Sequence, residues 1–503
     1  MTRWVFLGAL LAWPLLTAPA IAQEPESKVL EERIKKLEET VKGFQEHERR
    51  EREREREPLP QAGGPPAGGV GPITDIKVER KGEEKVPLGF SSTGSGRLIY
   101  AKPFLAVPKA TIGGYTDIKY VSQTGPTLDN LSRNSFNQER MVPFIYADIT
   151  DRIKFATEIE FERGGTNSPG TTVNGTGGST ASGSIQLEFA QLDYLFNEAI
   201  NLRAGILLMP VGKFNLLHDS PLNDLPDRPM VDRLVIPSTW FESGAGIYGT
   251  LYPTRLSKLD YELYAVNGMG CNAQGGSITD TSGLRNCRGS VSRDNNDNKG
   301  VVGRLAFSPM LGIEVAGSSY YGQYSNRNAS GVNNQDNNIG IYAVDWTMQR
   351  GPWELIGEAA WSRITGNQGT TIATQGPDGM AGYYIQANYH FMPELLKRLA
   401  PSHFSDASTF TAVVRWETVD TDTGNKSMLS PGVLSNQRDL ERLTLGLNFR
   451  PIEDTVIKLG YVFSTQKNTS VQNFVNNPTG TIIGAGPTRI DGNGFTAMVA
   501  TYF

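Results

Sequence analysis

The chain has 503 residues and a formal net charge of -5, so it lacks the basic excess typical of a nucleic-acid-binding protein. Its mean hydropathy of -0.33 argues against a bundle of transmembrane helices. It does not exclude a membrane β-barrel, in which lipid-facing and lumen-facing residues alternate along each strand. The 55 glycines and 18 tyrosines fit strands and turns better than helices.

The first segment, residues 1–22, has the pattern of a cleaved secretory signal peptide. A basic Arg3 precedes an apolar run, and small residues stand at Ala20 and Ala22. The alternative is an anchoring transmembrane helix, but the apolar run is shorter than the roughly 20 residues that cross a bilayer. We therefore expect an exported chain whose mature form begins near Gln23.

Residues 23–57 are predicted to form a coiled-coil helix, and residues 58–87 a linker with an extended segment. The run of Glu and Arg that ends the helix has no apolar seam, and we interpret it as solvated. The density of Pro and Gly in PLPQAGGPPAGGVGP ends the helix there. The apolar seam itself follows spacings of four and three, as in a heptad repeat: Leu30, Ile34, Leu37, Val41 and Phe44.

Residues 88–503 are predicted to form an all-β domain, because runs of alternating polar and apolar residues recur without helical periodicity. The sixteen predicted strands span residues 110–123, 138–149, 153–163, 184–196, 199–210, 241–252, 258–268, 299–308, 311–324, 338–349, 352–365, 380–391, 407–420, 438–450, 454–466 and 493–503. Their lengths match the roughly 9 to 11 residues of a tilted strand that crosses a membrane.

The connections between these strands alternate between tight turns and long polar loops. Together with an even strand number, this alternation predicts that both termini face the periplasm. One short-side connection, residues 392–407, breaks the pattern and is expected to hold a small helix. The chain ends on GNGFTAMVATYF, whose apolar row finishes at Phe503, so the last strand is expected to pair with the first.

The two faces of the strands decide between two all-β architectures. A soluble sandwich also alternates polar and apolar residues. However, a sandwich of this size needs a large apolar interior, whereas nearly every strand here has a polar row. The prediction is a 16-stranded antiparallel transmembrane β-barrel with an N-terminal periplasmic coiled-coil helix, located in the outer membrane.

Residues 211–239 form the longest early loop, with more apolar side chains than a solvated loop needs. We expect this loop to fold into the lumen and to narrow a water-filled channel. The predicted pore-lining and constriction residues are Arg203, Lys213, His218, Asp219, Asp227, Arg228, Asp232, Arg233, Arg304, Arg415, Arg442 and Lys458.

The same alternation points acidic residues inward: Glu158, Glu160, Glu262, Glu314, Asp345, Glu354 and Glu358. Because both signs of charge face the lumen, the sequence favours passive diffusion of ions and small hydrophilic solutes with little selectivity. For any single charge, a salt bridge within the wall is an equally good interpretation.

Cys271 and Cys287 are the two cysteines of the chain, and in an exported protein they predict a loop disulfide. No metal site is predicted. Residues 294–300, DNNDNKG, lack the Gly and the bidentate Glu of a calcium loop. No cofactor motif is found either.

Three stretches carry a resemblance to a known family: FNQERMVPFIYADITDRIKFATEIEFE, QLDYLFNEAINLRAGILLMPVGKFN and RPMVDRLVIPSTWFESGAGIYG. They resemble outer-membrane porins of the phosphate-selective porin O and P type over most of residues 110–270. The resemblance implies sixteen-stranded homotrimers whose third loop lines the pore. Members tend to carry lysines after the RAG strand, where this chain has Ile206, Leu207, Leu208 and Met209. Anion (phosphate) selectivity is therefore the alternative function.

Two other classes compete with a channel. In an outer-membrane hydrolase, His218 beside Asp219 would be half of a catalytic site, although a hydrogen bond within the constriction loop is the preferred interpretation. In a structural protein, the stalk would tie the membrane to peptidoglycan with the barrel as an anchor. The expected partners are a homotrimer, outer-membrane lipid, and small solutes or ions, with peptidoglycan contacted through the stalk and no nucleic acid.

Overall fold

The computed structural model describes residues 109–124, 134–163, 183–271, 297–324, 337–365, 377–405, 407–424, 439–468 and 488–503, with short pieces at 278, 283–288, 291, 294, 428–430, 433–434, 471–473 and 483–485. The predicted signal peptide, coiled-coil helix and linker, residues 1–87, lie outside the described residues.

Sixteen strands build one closed sheet, which confirms the predicted strand number. They are β1 (Lys109–Thr124), β2 (Ser135–Asp148), β3 (Ile153–Glu162), β4 (Ser184–Leu195), β5 (Asn201–Leu208), β6 (Phe241–Leu251), β7 (Lys258–Val266), β8 (Gly300–Met310), β9 (Ile313–Gln323), β10 (Asn338–Arg350), β11 (Trp353–Ile364), β12 (Gly379–Phe391), β13 (Thr409–Asp420), β14 (Asp439–Ile452), β15 (Thr455–Asn468) and β16 (Thr488–Tyr502). Each pairs antiparallel with its neighbours in sequence.

The barrel closes because β16 pairs antiparallel with β1, as predicted. Phe503 extends this seam by one residue. Its backbone N–H donates to Gly114 O at 2.9 Å, and the Gly114 N–H donates to Phe503 O at 3.1 Å. A Cβ on Gly114 would clash with the backbone carbonyl oxygen of Val142 on β2 and with the ring of Phe503, so β1 needs glycine there. Closure leaves no row of unpaired backbone groups facing lipid.

The barrel is apolar outside and polar inside along much of its wall. On β14, Leu443, Leu445 and Leu447 are exposed on the outer surface, whereas Arg442 and Thr444 are buried inside. Exposed aromatic residues such as Trp353 and Tyr389 lie at the ends of strands. This arrangement excludes the sandwich and is typical of a barrel in a membrane.

The two ends of the barrel differ. At the end that we call the short-turn end, connections such as residues 149–152 and 311–312 are short. The longer connection that was predicted at residues 392–407 contains helix α3 (Glu394–Leu399), as expected. At the long-loop end lie L3, residues 209–240, and L4, residues 267–299. L3 contains helices α1 (Lys213–Leu216) and α2 (Met230–Leu234). Among the described residues, no helix has the length and apolarity needed to cross a membrane.

L3 folds into the barrel, and it meets an apolar interior that the sequence analysis did not predict. The inward rows of β7–β14 are apolar in the half near the long loops, with Ile339, Ile341 and Val419 fully buried. Met230, Trp240 and other apolar residues of L3 pack in the same cluster. Each large side chain buried in this way contributes roughly 1.5–3 kcal/mol. One side of the lumen is therefore a dry core.

Candidate channel constriction

The neck of L3 is closed by one buried side chain, Asn215. Its Nδ2 donates to Met209 O at 2.7 Å and to Trp240 O at 3.2 Å, and its Oδ1 accepts from the Trp240 N–H at 2.9 Å. These bonds join the two ends of the loop, where the chain leaves β5 and enters β6. Met209 O and Trp240 O also accept from backbone N–H groups, so Asn215 reinforces the neck and supplies the acceptor for the Trp240 N–H.

L3 approaches the wall closely at Gly212, which has φ of 73°. A Cβ at this position would lie 2.7 Å from Cδ1 of Ile236 and 2.8 Å from Cδ of Glu358. Both the backbone conformation and the contact distance require glycine. The Gly212 N–H donates to Oγ of Ser318 on β9 at 3.0 Å. The loop therefore contacts the wall at β9 and β11.

Cations on the wall hold the backbone of L3. Each donates to a carbonyl oxygen: Arg415 to Asp227 O (2.8 Å), Arg442 to Arg228 O (2.9 Å), Arg450 to Pro221 O (2.7 Å) and Lys458 to Ser220 O (2.5 Å). These cations come from three neighbouring strands, β13, β14 and β15. These bonds hold the path of L3 through its main chain at four positions.

Acids on the wall hold the two short helices of L3. Glu358 on β11 accepts from the Phe214 N–H at 3.2 Å in α1, and Glu417 on β13 accepts from the Met230 N–H at 2.6 Å at the start of α2. Glu417 also accepts from Arg415 Nε at 3.2 Å and Arg442 Nε at 2.6 Å. Because all three side chains are buried, this carboxylate is the compensating charge for two guanidinium groups.

L4 packs on L3 and is stapled by the Cys271–Cys287 disulfide. The Leu284 N–H donates to Leu234 O at 2.9 Å, and Arg288 Nη1 donates to Thr239 O at 2.6 Å. Cys271 and Cys287 are fully buried in the same apolar cluster as the apolar side chains of L3. L3 is therefore clamped between the wall and a second loop.

Two adjoining cavities remain between α1 and strands β7–β10, in the half near the short turns. One has a volume of about 300 Å³ and is lined by Lys213, Glu262 and Arg304 among others. The other has a volume of about 390 Å³ and is lined by Lys258 near the short turns. Both contact Lys213 and Glu314, whose charged groups lie 3.0 Å apart. Charges of both signs thus line the space beside L3.

Arg285 on L4 lies within electrostatic range of three other arginines of L3 and L4, and we call the four the arginine cluster. Its members are Arg228 and Arg233 on L3 and Arg285 and Arg288 on L4. Burial, and then the positive charges of the other three, hold the pKa of Arg285 well below its usual range. Like charges placed close together in a partly buried region produce a strongly positive potential.

Carboxylates of β3 lie near the arginine cluster. Glu160 accepts from Arg140 Nε at 2.8 Å and from Gln186 Nε2 at 2.7 Å. Burial lowers the pKa of the Arg288 guanidinium, and the negative charges of Glu162 and Glu160 oppose this effect. Cations on the loops and anions on the wall thus face the same region of the lumen. Such an arrangement sets up a field across a channel and influences which ions pass.

Comparison with known families decides the class. The model of the family described as phosphate-selective porin O and P matches residues 115–486, nearly three quarters of the chain. The chain belongs to the phosphate-selective porin O and P family. This porin therefore forms a channel for small solutes in the outer membrane, and the family is one of channels rather than enzymes. An uncharacterized protein of Aquifex aeolicus (strain VF5) is 26% identical over 373 residues, which cover 71% of this chain and 76% of that protein.

Several solved structures are similar to this porin. An anion-selective porin from Comamonas acidovorans has 9% sequence identity and a TM-score of 0.44, with 78% of this chain and 99% of that chain covered. OmpF of Salmonella typhi, in complex with daunomycin, has 13% identity and a TM-score of 0.45, with coverages of 78% and 98%. The outer membrane channel DcaP of Acinetobacter baumannii has 12% identity and a TM-score of 0.41, with coverages of 78% and 97%.

The structure corrects the predicted pore-lining role of six residues in this porin. All six are buried, because L3 or a neighbouring carboxylate covers their charged groups: His218, Asp232, Arg304, Arg415, Arg442 and Lys458. Arg304 shows the pattern, since its Nη2 donates to Asp345 Oδ1 at 2.8 Å across the inner wall. The alternative interpretation, a salt bridge within the wall, describes Arg304, Arg415 and Arg442, whereas Lys458 bonds to the backbone of L3.

The other six predicted residues are partly accessible, and each has a partner. Arg203 forms a bidentate pair with Asp193 (2.8 and 2.9 Å) and stacks over the Tyr248 ring at 4.2 Å. Lys213 donates to Glu314 and Thr347. Three further contacts join Asp219 to Tyr502 (3.0 Å), Asp227 to Lys119 (2.5 Å) and Arg228 to Thr239 (3.1 Å). Arg233 belongs to the arginine cluster.

Sequence reasoning missed several residues of this region. Lys119, Arg140 and Glu188 lie on strands, so alternation could have found them. However, bulges at Glu139 of β2 and at Glu188 of β4 change which residues of these strands face inward. Arg285 and Arg288 lie in L4 beside Cys287. No periodic signal marks a loop that turns inward, and only the disulfide indicated local order there.

Proposed function

We propose that this porin is a passive and weakly selective channel for ions and small hydrophilic solutes, narrowed by L3. The observation that supports the proposal is the fixed position of L3 across the lumen, beside cavities lined by charges of both signs. Solutes would pass between L3 and the wall, where Lys213, Glu262 and Glu314 present both signs of charge. Mixed charge at a constriction favours neither ion strongly.

The arginine cluster supports a second candidate function, an anion-selective porin that accepts phosphate. Four guanidinium groups near one another would attract anions, and the field would fall off within about a Debye length, roughly 8–10 Å at physiological salt. The carboxylates Glu160 and Glu162 lie close enough to oppose that field. The balance between these two groups of charges decides between the two functions.

Single-channel recording in planar bilayers tests both candidates. In a KCl gradient, the weakly selective channel should give a reversal potential near zero, with a permeability ratio within about threefold of unity. Replacing both Arg233 and Arg288 with Gln should shift the ratio toward K⁺. Arg152→Gln, which changes an exposed arginine in a short turn, is the matched control. A wild-type channel that passes almost only Cl⁻ would establish the anion-selective function instead.

The orientation and the assembly are part of the same proposal. The short-turn end and both termini would face the periplasm, with the helix of residues 23–57 as a periplasmic stalk. The barrels would form a homotrimer through their outer walls, and the stalk would be able to contact peptidoglycan. The competing structural role makes the stalk the functional part and the barrel its anchor.

Deletion of residues 23–87 separates these roles. Channel activity and trimers should both persist after the deletion, because contacts between barrels would dominate assembly. Native gel mobility and bilayer conductance measure the two properties independently. Loss of trimers with full conductance in monomers would assign assembly to the stalk, and loss of cell-wall attachment alone would support the tether.

A further inference from the structure

Three potential metal ligands meet at the contact between L3 and the wall. Glu158 on β3, Glu188 on β4 and His218 on L3 each offer one ligand atom, and these atoms lie within 4.8 Å of one another. All three residues are buried. Among the described residues, no other group of three or more His, Cys, Asp and Glu meets this criterion.

A β-bulge places Glu188 in this group. Leu187 pairs with Ile159 and Phe189 pairs with Glu158, so Glu188 lies between two register positions without an opposite residue of its own. On β4 the residues that face outward have odd numbers before the bulge (Ile185 and Leu187) and even numbers after it (Leu192). Bulges redirect side chains in this way. The local backbone thus turns an extra carboxylate into the barrel, beside Glu158.

The hydrogen bonds of His218 fix which nitrogen is free to bind a cation. Nδ1 lies 2.9 Å from Asn215 O, and a carbonyl oxygen only accepts, so Nδ1 carries a proton and donates. In the neutral ring, Nε2 then presents a lone pair toward Glu188 Oε2 at 3.1 Å. Two acceptors at this distance need either a proton or a metal ion between them. A backbone carbonyl that holds the far nitrogen is also the usual support of a metal-binding histidine.

Glu188 provides a second observation that favours a bound cation. Its side chain has no exposed surface, and Oε1 has no hydrogen-bond donor among the described residues. The nearby guanidinium of Arg140 is already bonded to Glu160 at 2.8 Å. A buried carboxylate oxygen without a partner is costly. The cost is removed if a cation binds there.

We propose that Glu158, Glu188 and His218 bind one divalent transition-metal ion, of which Zn²⁺ is the best fit. One imidazole nitrogen with carboxylate oxygens suits Zn²⁺, whereas Ca²⁺ and Mg²⁺ prefer oxygen ligands alone. Bonds of about 2.0–2.2 Å in a tetrahedron separate ligand atoms by about 3.4 Å, so the side chains need only small movements. Two carboxylates would neutralise the ion.

The ion would pin L3 to the wall strands β3 and β4. On the opposite side, cations of β13–β15 hold the loop through its carbonyl oxygens, as described above. Among the contacts to β3 and β4, His218 supplies a buried link from L3, through Glu188. Metal binding would therefore set how firmly L3 is held near the arginine cluster. The prediction from sequence that the chain has no metal site would then be wrong. No sequence pattern indicated the site, because Glu158 and Glu188 precede His218 by 60 and 30 residues, and no short motif joins them.

Titration of the purified full-length porin with Co²⁺ tests the proposal, because Co²⁺ replaces Zn²⁺ and absorbs visible light when bound. After treatment with a chelator, the wild type should bind about one Co²⁺ per chain at neutral pH. Zn²⁺ should displace it, and Mg²⁺ should not. Glu188→Gln and His218→Gln should each weaken binding at least 100-fold. His390→Gln is the matched control, since His390 lies 3.5 Å from Glu354 without a third ligand group.

The wild-type titration remains decisive if either variant fails to fold. No Co²⁺ or Zn²⁺ bound by the chelator-treated wild type would overturn the proposal and leave a shared proton between His218 and Glu188. Binding retained at full strength in both folded variants would also overturn it, because the ion would then lie elsewhere. Heat-modifiable mobility on gels verifies that each barrel is folded.

Discussion

At the scale of single residues, the inward-facing charges divide into those that hold L3 and those that remain beside open space. Glu417 belongs to the first group, since it accepts from two buried arginines and from the backbone of α2. Lys213 belongs to the second, because it lines both cavities. Burial and partners, which alternation along a strand does not reveal, separate the two groups.

Glu417→Gln should destabilise the folded porin strongly. The substitution keeps the shape but leaves Arg415 and Arg442 buried without a compensating charge, which typically costs about 3–5 kcal/mol. Urea unfolding in detergent measures the change in the free energy of unfolding. Glu441→Gln on the neighbouring strand β14 is the control: its carboxylate pairs with Lys467 in a partly exposed bridge, and its loss should cost at most about 1 kcal/mol. Equal effects of both substitutions would contradict this assignment.

Asp232 of L3 should make stability depend on pH. Burial, followed by the charge of Glu358, holds the pKa of Asp232 well above its usual range. The folded protein therefore keeps a proton that the unfolded chain has already lost, so stability falls as pH rises above about 4. Asp232→Asn removes this loss. We expect a gain of more than about 1 kcal/mol at pH 8 and little change at pH 4, measured by urea unfolding at both values. A gain of the same size at both pH values would be contrary to this account.

At the scale of elements, the strands followed from the sequence and the loops did so only in part. The β14 stretch RLTLGLNFRP alternates so regularly that its outward leucines could be assigned directly. The inward fold of L3 was predicted from its apolar content. The packing of L3 against Ile339, Ile341 and Val419 was not predicted, because the sequence pattern identifies these residues only as parts of membrane strands. Contacts between loops and wall depend on distant residues, which strand periodicity does not report.

The disulfide of L4 should stabilise the loops and leave the barrel unaffected. In the chain-entropy model, closing a loop of about this length contributes roughly 3 kcal/mol. Replacing both Cys271 and Cys287 with Ser should lower hydrogen-exchange protection at Leu284 and at neighbouring L3 amides such as Val235. Protection within β1 and β16 should stay the same, because their hydrogen bonds lie in the sheet. A reducing agent added to the wild type should reproduce the effect.

The opposite results for the disulfide are also informative. Unchanged exchange at Leu284 would mean that the apolar cluster alone holds L4. Loss of protection throughout the barrel would mean that L4 contributes to global stability, contrary to the arrangement of separate loop and wall contacts.

At the scale of the whole molecule, the closed sheet explains why a chain of negative mean hydropathy lies in a membrane. Its outer surface is apolar, its inner surface carries the charges, and Phe503 completes the seam with Gly114. The strand number and closure were predictable because membrane strands have a fixed length and an obligatory partner on each side. The dry core on one side of the lumen was not predictable, and the space that we propose as the route for solutes lies beside L3.

The most direct test is the single-channel conductance of two proteins in planar bilayers: the wild type, and a variant in which a short Gly-Ser linker replaces residues 213–237. We predict discrete conductance steps from both, with steps at least about twofold larger for the variant, because the barrel is wide enough for a channel and L3 fills much of it. An absence of steps in the folded wild type, or steps of equal size in both proteins, would contradict a channel narrowed by L3.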